Sequence, residues 1–150
     1  MIYVKILGEP CAQGRGRAGA VMTKHGPLLV NGRPIIKVRD PEKSRDWKGA
    51  ASWAMKEVYR GAPLAGPLSV TIEAVFTCPR SQWRKREPLK RRPHTKRGDI
   101  DNLAKAVLDA ATGVLWLDDA QVWQLSARKV IGHQGEAPYV AVTVAEREGG

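Results

Sequence analysis

The sequence predicts a single α/β (α+β) domain, in which two main helices pack on one mixed β-sheet and a long basic loop lies outside it. The chain has 150 residues, the usual length of one domain. Segments with strand-like alternation and segments with helical periodicity follow one another along it, as is typical of a sheet covered by helices. Because 43% of its residues are hydrophobic, the chain can bury a core of its own. We therefore expect residues 1–150 to fold as one unit.

Alternating apolar residues predict the strands. Residues 1–7 and 68–76 alternate between apolar and polar side chains, as half-buried strands do. Residues 34–38 are a short candidate strand. Residues 122–131 and 139–145 form two more, joined by a turn rich in glycine.

Helical periodicity predicts two helices. The first spans residues 42–59, where four apolar side chains recur at spacings of four, three and four and so share the face that packs on the sheet: Trp47, Ala51, Ala54 and Val58. The second opens near Asp101, with Asp101 or Asn102 as a natural N-cap, and stops at Thr112 and Gly113. After it, the residues VLWL form a short buried run.

The net charge of +10 is concentrated in one segment. Residues 80–97, the basic loop, hold nine Lys and Arg and one Glu, a local charge of +8. Two prolines and the lack of an apolar period predict an exposed loop that stays mobile until an anion orders it. Charge this dense usually marks a phosphate-binding surface, so we expect the loop to bind nucleic acid; the alternative is a loop that only aids solubility. Trp83 within it either stacks on exposed bases or anchors the loop to the protein. The candidate DNA contacts of the loop are Arg80, Trp83, Arg84, Lys85, Arg86, Lys90, Arg91, Arg92, Lys96 and Arg97.

Directly after the basic loop the charge reverses. Residues 99–119 carry five aspartates and one lysine, a local charge of −4. These carboxylates would repel a phosphate ligand, and a divalent cation resolves that conflict. The cation needs oxygen ligands, because two distant cysteines and three scattered histidines exclude a zinc site. An EF-hand is also excluded, since its glycine and glutamate are missing, so Mg²⁺ or Mn²⁺ fits best.

Four aspartates are the candidate metal ligands. Asp99 and Asp101 would point the same way in an extended segment, whereas helix capping would explain one of them without a metal. Of the adjacent Asp118 and Asp119, only one can easily join that pair, and the other is free to cap or to pair nearby. Lys105 follows Asp101 by one helical turn, where it either belongs to an ordinary ladder of ion pairs or stabilises the charge of a phosphoryl transition state.

Residues 8–34 are rich in glycine and proline and show no clear period. The segment GRGRAG matches the dinucleotide fingerprint G-x-G-x-x-G, but the strand and helix that the fingerprint requires are missing around it. We therefore expect no nucleotide cofactor, and we interpret the segment as a flexible loop that brings Arg15 and Arg17 to phosphates.

The chain shows no export or membrane signal. No run approaches the ~18 apolar residues of a membrane span, and the N-terminus lacks the features of a signal peptide. Cys11 and Cys78 are expected to be free thiols in a reducing compartment. We expect a cytoplasmic protein with no membrane partner, associated with the nucleoid when it binds DNA.

The segment TKRGDIDNLAKAVLDAATGVLWLDDAQV resembles a known family, the RusA-type Holliday junction resolvases of phages and prophages. It contains the pattern D-x-D-N-x-x-K-x-x-x-D, followed by W-x-D-D-A-Q. The opening GEPCAQGRGR is similar to the family's P-x-x-x-G-R-x-R segment, and DPEKSRDWKGAASWA is similar to the helix that follows it. The basic tract is longer and denser than in compact members.

The resemblance implies a metal-dependent endodeoxyribonuclease of DNA recombination and repair. By position, it makes Asp99, Asp101 and Asp119 the essential metal-binding aspartates and Lys105 the catalytic lysine, while Asp118 is a further candidate, as a ligand or as support for one. It also implies Mg²⁺ or Mn²⁺, a homodimer, and symmetric paired cuts in a four-way DNA junction. The alternatives are a non-catalytic junction-binding or DNA-architectural protein, and a metal nuclease that acts on other branched DNA or on RNA.

Overall fold

Two helices pack on one face of a five-stranded mixed β-sheet, which confirms the predicted fold class. The computed structural model describes residues 1–14, 17–39 and 41–147, and for Arg17, Val38 and Arg39 the backbone alone. In chain order the elements are β1 (Ile2–Leu7), β2 (Arg17–Ala20), β3 (Met22–Thr23), β4 (Gly26–Pro27), β5 (Leu29–Val30), β6 (Arg33–Pro34), β7 (Ile36–Arg39), α1 (Glu42–Val58), β8 (Leu68–Phe76), β9 (Arg92–Pro93), α2 (Ile100–Ala111), β10 (Val122–Ile131) and β11 (Tyr139–Glu146), with short 3₁₀ turns at Arg80–Gln82 and Asp119–Gln121.

The main sheet has the strand order β1–β11–β8–β10–β9. Its centre is β8, which pairs antiparallel with β11 and parallel with β10, so that Ile72 faces Val142 on one side and Ala127 on the other. A parallel pair needs a crossover connection, and α2 supplies it. As a result, α2 begins near the carboxyl ends of β8 and β10 and ends near the amino end of β10.

The core lies between the sheet and the helices. Alternate residues of β1, β8 and β11 point into it, as their apolar periodicity predicted: Val4, Ile6, Leu68, Val70, Ile72, Ala74, Val140, Val142 and Val144. The prediction that Val58 is buried is wrong, since Val58 is 55% exposed at the last position of α1. Met55, one turn after Ala51, takes the core position instead.

Residues 17–39 form three small two-stranded antiparallel sheets outside the main sheet, and we call them together the trefoil. They pair β2 with β7, β3 with β4, and β5 with β6. The pair β2–β7 encloses two hairpins, β3–β4 and β5–β6. The three sheets meet at three residues whose N–H groups each donate to the carbonyl of another: Val21 to Ile35 at 2.8 Å, Leu28 to Val21 at 2.6 Å, and Ile35 to Leu28 at 3.0 Å. The predicted strand at residues 34–38 corresponds to β7.

Within the described residues, no helix is both long enough and apolar enough to cross a membrane.

Candidate active site

Asp99 and Asp101 lie together at the amino-terminal end of α2. Asp99 occupies the N-cap position, and its carbonyl accepts a hydrogen bond from the Leu103 N–H at 3.0 Å. The prediction that Asp101 or Asn102 is the N-cap is therefore wrong, because the helix already begins at Ile100. The Asp99 side chain makes no capping hydrogen bond, and both carboxylates are exposed. Capping thus does not account for either carboxylate.

Lys129 of β10 holds the backbone that leads into Asp99. Its Nζ donates to the carbonyl of Lys96 at 2.6 Å and to the carbonyl of Gly98 at 2.8 Å. Gly98 has a φ of +99°, which a glycine adopts without steric cost. The half-buried Lys129 lines the same surface recess as Asp99 and Asp101. Lys129 was not among the predicted site residues, because its hydrogen bonds to two backbone carbonyls cannot be seen in a sequence.

His94 lies in the same recess as Asp99 and Asp101. Its ring stacks on Phe76 with centroids 4.3 Å apart, and its buried Nδ1 has no hydrogen-bond partner among the described residues. Burial, followed by the positive charge of Lys129, lowers the pKa of His94.

Lys105 is exposed on the same face of α2 as Asp101 and Asp109. The ladder of ion pairs along this face is absent from the described part of the chain. Asp109 pairs with Lys48 of α1 instead, with Nζ and Oδ2 3.7 Å apart. The ammonium of Lys105 therefore stands one turn from Asp101 without a carboxylate bound to it.

Asp119 lies at the opposite end of α2. Its Oδ1 accepts hydrogen bonds from the Thr112 hydroxyl and from the indole N–H of Trp116, the latter at 3.0 Å. It lines a groove between α1 and α2 together with Lys48, Ser52 and Asp109. Trp116 and Thr112 were not predicted as site residues. Trp116 stands two residues before Asp118 in the sequence, but the hydrogen bonds of both residues to Asp119 cannot be seen in a sequence.

The structure does not bring Asp119 to Asp99 and Asp101 within one protomer. Eleven residues separate Asp101 from Thr112, so about 16 Å of helix lie between the two ends. Among the residues that the structure describes, no three His, Cys, Asp or Glu side chains converge to hold a metal. One chain thus presents two carboxylates at one end of α2 and a third at the other.

Asp118 caps the short 3₁₀ turn that follows it. Its Oδ1 accepts a hydrogen bond from the Ala120 N–H at 2.8 Å, and the Gln121 side chain accepts from the Asp118 N–H at 2.9 Å. Of the two neighbouring aspartates, Asp118 therefore has the capping position, and Asp119 faces the groove.

The basic loop is tied to the protein by hydrogen bonds, and the prediction that an anion orders it stays a prediction. Oε1 of Gln134 accepts hydrogen bonds from the N–H groups of Arg84 at 2.9 Å and Leu89 at 3.2 Å, and its Nε2 donates to the Arg84 carbonyl at 2.9 Å. The Trp83 indole N–H donates to the Cys78 carbonyl at 3.1 Å. Of the two interpretations of Trp83, this bond favours the anchor.

Arg91 fastens the second half of the loop. Its guanidinium donates to Glu136 and to Glu73 of β8, at 3.0 Å and 2.9 Å, and to the Tyr139 hydroxyl at 2.7 Å. The hydrogen bond from Arg91 holds the pKa of Glu136 at about 2, and the same pairing raises the pKa of Arg91. Arg91 thus has protein partners already, whereas Arg84, Lys85, Arg86 and Lys90 present exposed side chains.

The remaining predicted DNA contacts fall into three groups. Arg80, Lys96 and Arg97 are exposed, the first over the ring of Trp83 with 5.2 Å to its centroid. Arg92 is half-buried and donates to the side chain of Gln82. Arg15 lies outside the described residues, and of Arg17 only the backbone, in β2, is described.

The sequence is similar to those of known proteins. The profile of the family described as endodeoxyribonuclease RusA matches residues 8–145. The chain therefore belongs to the RusA family of endodeoxyribonucleases. An acidic helix end beside a basic loop is consistent with this class of nucleases. It is also similar to the uncharacterised protein YqaN of Bacillus subtilis (strain 168), with 31% identity over 151 residues, which cover 97% of this chain and 96% of YqaN.

Proposed function

We propose that this protein is a Mg²⁺-dependent (or Mn²⁺-dependent), structure-specific endodeoxyribonuclease that resolves four-way DNA junctions as a homodimer, by paired and symmetric cleavage, in recombination and repair. The observation that carries the proposal is that the carboxylates of Asp99 and Asp101 are both exposed beside the cations of the basic loop, and that helix capping accounts for neither of them. Membership of the RusA family supports the nuclease activity.

The carboxylate pair suits the chemistry of Mg²⁺. This ion is usually held by one or two carboxylates together with water and substrate phosphate, and Asp99 and Asp101 offer two from one protomer. The chemistry supplied by bound Mg²⁺ is activation of water for in-line attack and charge stabilisation at the phosphate.

Other residues of the chain position and balance the scissile phosphate. Lys105 is one helical turn from Asp101, where its ammonium offsets the negative charge that the phosphate gains during the reaction. Lys129 holds the backbone before Asp99 in place. Lys96, Arg97 and the exposed cations of the basic loop bind the phosphate backbones on either side, chiefly through charge.

A homodimer gives Asp119 a place in the same site. A two-fold axis that crosses α2 at right angles sets two copies of this helix antiparallel, so that Asp119 of one protomer lies beside Asp101 of its partner. This arrangement removes the separation of about 16 Å within a protomer. It also yields two sites related by the axis, as symmetric cleavage requires.

The proposal is tested by a cleavage assay on a mobile four-way DNA junction, a linear duplex and a structured RNA, with and without Mg²⁺, mapped at nucleotide resolution. We expect symmetric cuts in the junction alone, and only with Mg²⁺. Asp101→Asn should abolish cleavage while junction binding stays equal or tightens, because a repulsive charge is lost. The control Asp46→Asn changes an exposed aspartate of α1 and should cut normally.

Three results would contradict the proposal. Cleavage by Asp101→Asn at the wild-type rate would refute the metal site. Junction binding without any cleavage would indicate an architectural protein. Preferential cleavage of the RNA would indicate a different substrate.

A further inference from the structure

We propose that the trefoil is a second DNA-binding element, which grips the phosphate backbone next to the candidate active site. The proposal rests on the proposed function, because it assumes that the protein binds DNA.

The charge of the trefoil points to a polyanion. Residues 17–39 contain five Lys and Arg and no Asp or Glu. Outside the trefoil and the basic loop, the chain has 11 Lys and Arg against 14 Asp and Glu. The excess positive charge of the protein therefore comes from these two elements alone. Because both are positively charged, they suit one polyanionic ligand.

Gln13 and Gly14, the last described residues before the trefoil, lie at the same end of α2 as Asp99 and Asp101. The Gln13 N–H donates to the carbonyl of Asn102 at 2.9 Å, and the Gly14 N–H donates to Oγ of Ser44 at 2.9 Å. Ser44 is only 4% exposed, so this attachment is part of the packed protein. DNA whose phosphate lies at Asp101 is therefore adjacent to Gln13 and Gly14, which precede the trefoil in the chain.

Each of two turns at the tips of the trefoil has a cation in it or next to it. One tip is the β3–β4 turn with Lys24, closed by a hydrogen bond from the Thr23 hydroxyl to the Gly26 carbonyl at 2.8 Å. The other is the β5–β6 turn before Arg33, where Asn31 and Gly32 have φ of 52° and 74°, as a type I′ turn requires. Three hydrogen bonds join the hairpins at the centre, and Lys24 and Arg33 are both exposed. Two cations held in this way can contact two separate phosphates.

Exposed apolar residues accompany these cations. Met22, Leu29 and Val30 are 66%, 56% and 54% exposed. Apolar side chains between cations are used by DNA-binding proteins against unstacked bases, and the opened centre of a branched DNA offers such bases. The competing occupant is a second copy of this chain clasped by the trefoil, and the experiment separates the two.

The test uses the full-length protein with a charge-neutralised trefoil. Lys24→Gln with Arg33→Gln is compared with Lys56→Gln with Arg60→Gln, which removes the same charge from exposed positions at the far end of α1. Binding to a four-way junction is measured across a range of salt concentrations. We expect the trefoil variant to lower the slope of log K against log salt by ~1.8, that is by ~0.9 for each of two phosphate contacts, and the control to leave it unchanged.

A second variant tests the trefoil as a body. Residues 22–34 are replaced by Asn-Gly, which can join Val21 to Ile35 because these residues already form a hydrogen bond. We expect this variant to keep the oligomeric state of the wild type in analytical ultracentrifugation and to bind the junction more weakly.

Two outcomes would overturn the trefoil proposal alone. The first is that both trefoil variants bind the junction as tightly as the wild type does, with the same salt dependence. The second is that the protein dissociates to a smaller species when residues 22–34 are removed, which would assign the trefoil to subunit contact. A wild-type protein that binds no DNA would overturn the proposed function, and the trefoil proposal with it.

Discussion

The indole N–H of Trp116 donates to Oδ1 of Asp119 at 3.0 Å, and the Trp116 ring is completely buried. The same oxygen accepts from the hydroxyl of Thr112. A ring packed in a protein core cannot turn without disturbing its neighbours, so the core itself sets the direction of this carboxylate. A carboxylate with two fixed donors is prepared for binding before any ligand arrives.

Removal of the Thr112 donor is expected to weaken cleavage without unfolding the protein. Thr112→Val keeps the shape of an exposed side chain and loses one hydrogen bond to Asp119. We expect the cleavage rate at limiting Mg²⁺ to fall ~10-fold, as for other groups that orient metal-binding carboxylates. Thr112→Ser, which keeps the hydroxyl, should cut nearly as the wild type does, and equal loss in both variants would contradict the role of the hydrogen bond.

Mixed dimers test whether each active site uses two chains. Asp101→Asn and Asp119→Asn homodimers are each expected to be inactive. If Asp101 and Asp119 of different protomers share a site, a mixed dimer contains one intact site and one doubly altered site, so it should nick the junction on a single strand. If both residues of a site come from one chain, the mixed dimer stays inactive. The nicked product on a denaturing gel distinguishes the two cases.

Loss of the Lys129 ammonium is expected to slow cleavage by releasing the backbone before Asp99. Lys129→Met removes the hydrogen bonds to the carbonyls of Lys96 and Gly98. We expect ~10-fold slower cleavage and faster hydrogen exchange at residues 99–103. The matched control is Arg128→Met, which removes a neighbouring cation that pairs with Glu73. Similar exchange at residues 99–103 in both variants would refute the positioning role.

Arg91 and Lys90 are adjacent cations with different expected roles. Lys90→Gln should lower the salt dependence of junction binding by ~0.9 in log–log slope, because Lys90 is exposed. Arg91→Gln should instead loosen the second half of the basic loop. We expect faster exchange of the His94 amide, which donates to the Lys129 carbonyl. We also expect a loss of about 1 kcal/mol in the free energy of unfolding, a modest value because the ion pairs are partly solvated. A slope change for Arg91→Gln equal to that for Lys90→Gln would show that Arg91 contacts DNA directly.

Acid is expected to release the second half of the basic loop. The pKa of Glu136 is lowered from 4.5 to about 2 by its hydrogen bond with Arg91. A carboxyl group with a lowered pKa in the folded state stabilises that state fully above its unfolded pKa and loses the effect as pH falls toward the folded value. The free energy of unfolding, measured in urea, should therefore decline between pH 4.5 and pH 2 by this contribution. Glu136→Gln should show a smaller decline over the same range. An equal decline in this variant would show that Glu136 is not responsible for the loss of stability.

Periodicity was sufficient to predict four of the five strands of the main sheet and both helices, because their buried faces repeat at the spacing of a strand or a helix. The fifth strand, β9, has two residues and lies within the segment that was predicted to be a loop. Strands β1, β8 and β11 show this directly, with Val4, Val70 and Val142 buried at alternating positions. The trefoil could not be predicted in the same way. Four of its strands have only two residues, and they are held by backbone hydrogen bonds at a three-way junction, which leave no apolar pattern.

The candidate site was predicted by residue type but not by position in space. The sequence shows which aspartates are unusual, yet it does not show that a helix of 12 residues separates Asp101 from Asp119. The roles of Lys129 and Arg91 were also invisible, because the sequence shows a cation but not the carbonyl or carboxylate that it meets. Sequence analysis therefore treated Arg91 like its neighbours in the basic loop.

Gln134 makes the conformation of the basic loop insensitive to salt, which its highly charged composition does not suggest. The neutral side-chain amide of Gln134 forms hydrogen bonds with the backbone of Arg84 and Leu89. Because this amide carries no charge, dissolved ions do not screen these bonds. The first half of the loop should thus keep one shape from dilute buffer to concentrated salt. Ionic strength should then change the affinity of this loop for a polyanion without changing the conformation of the binding surface.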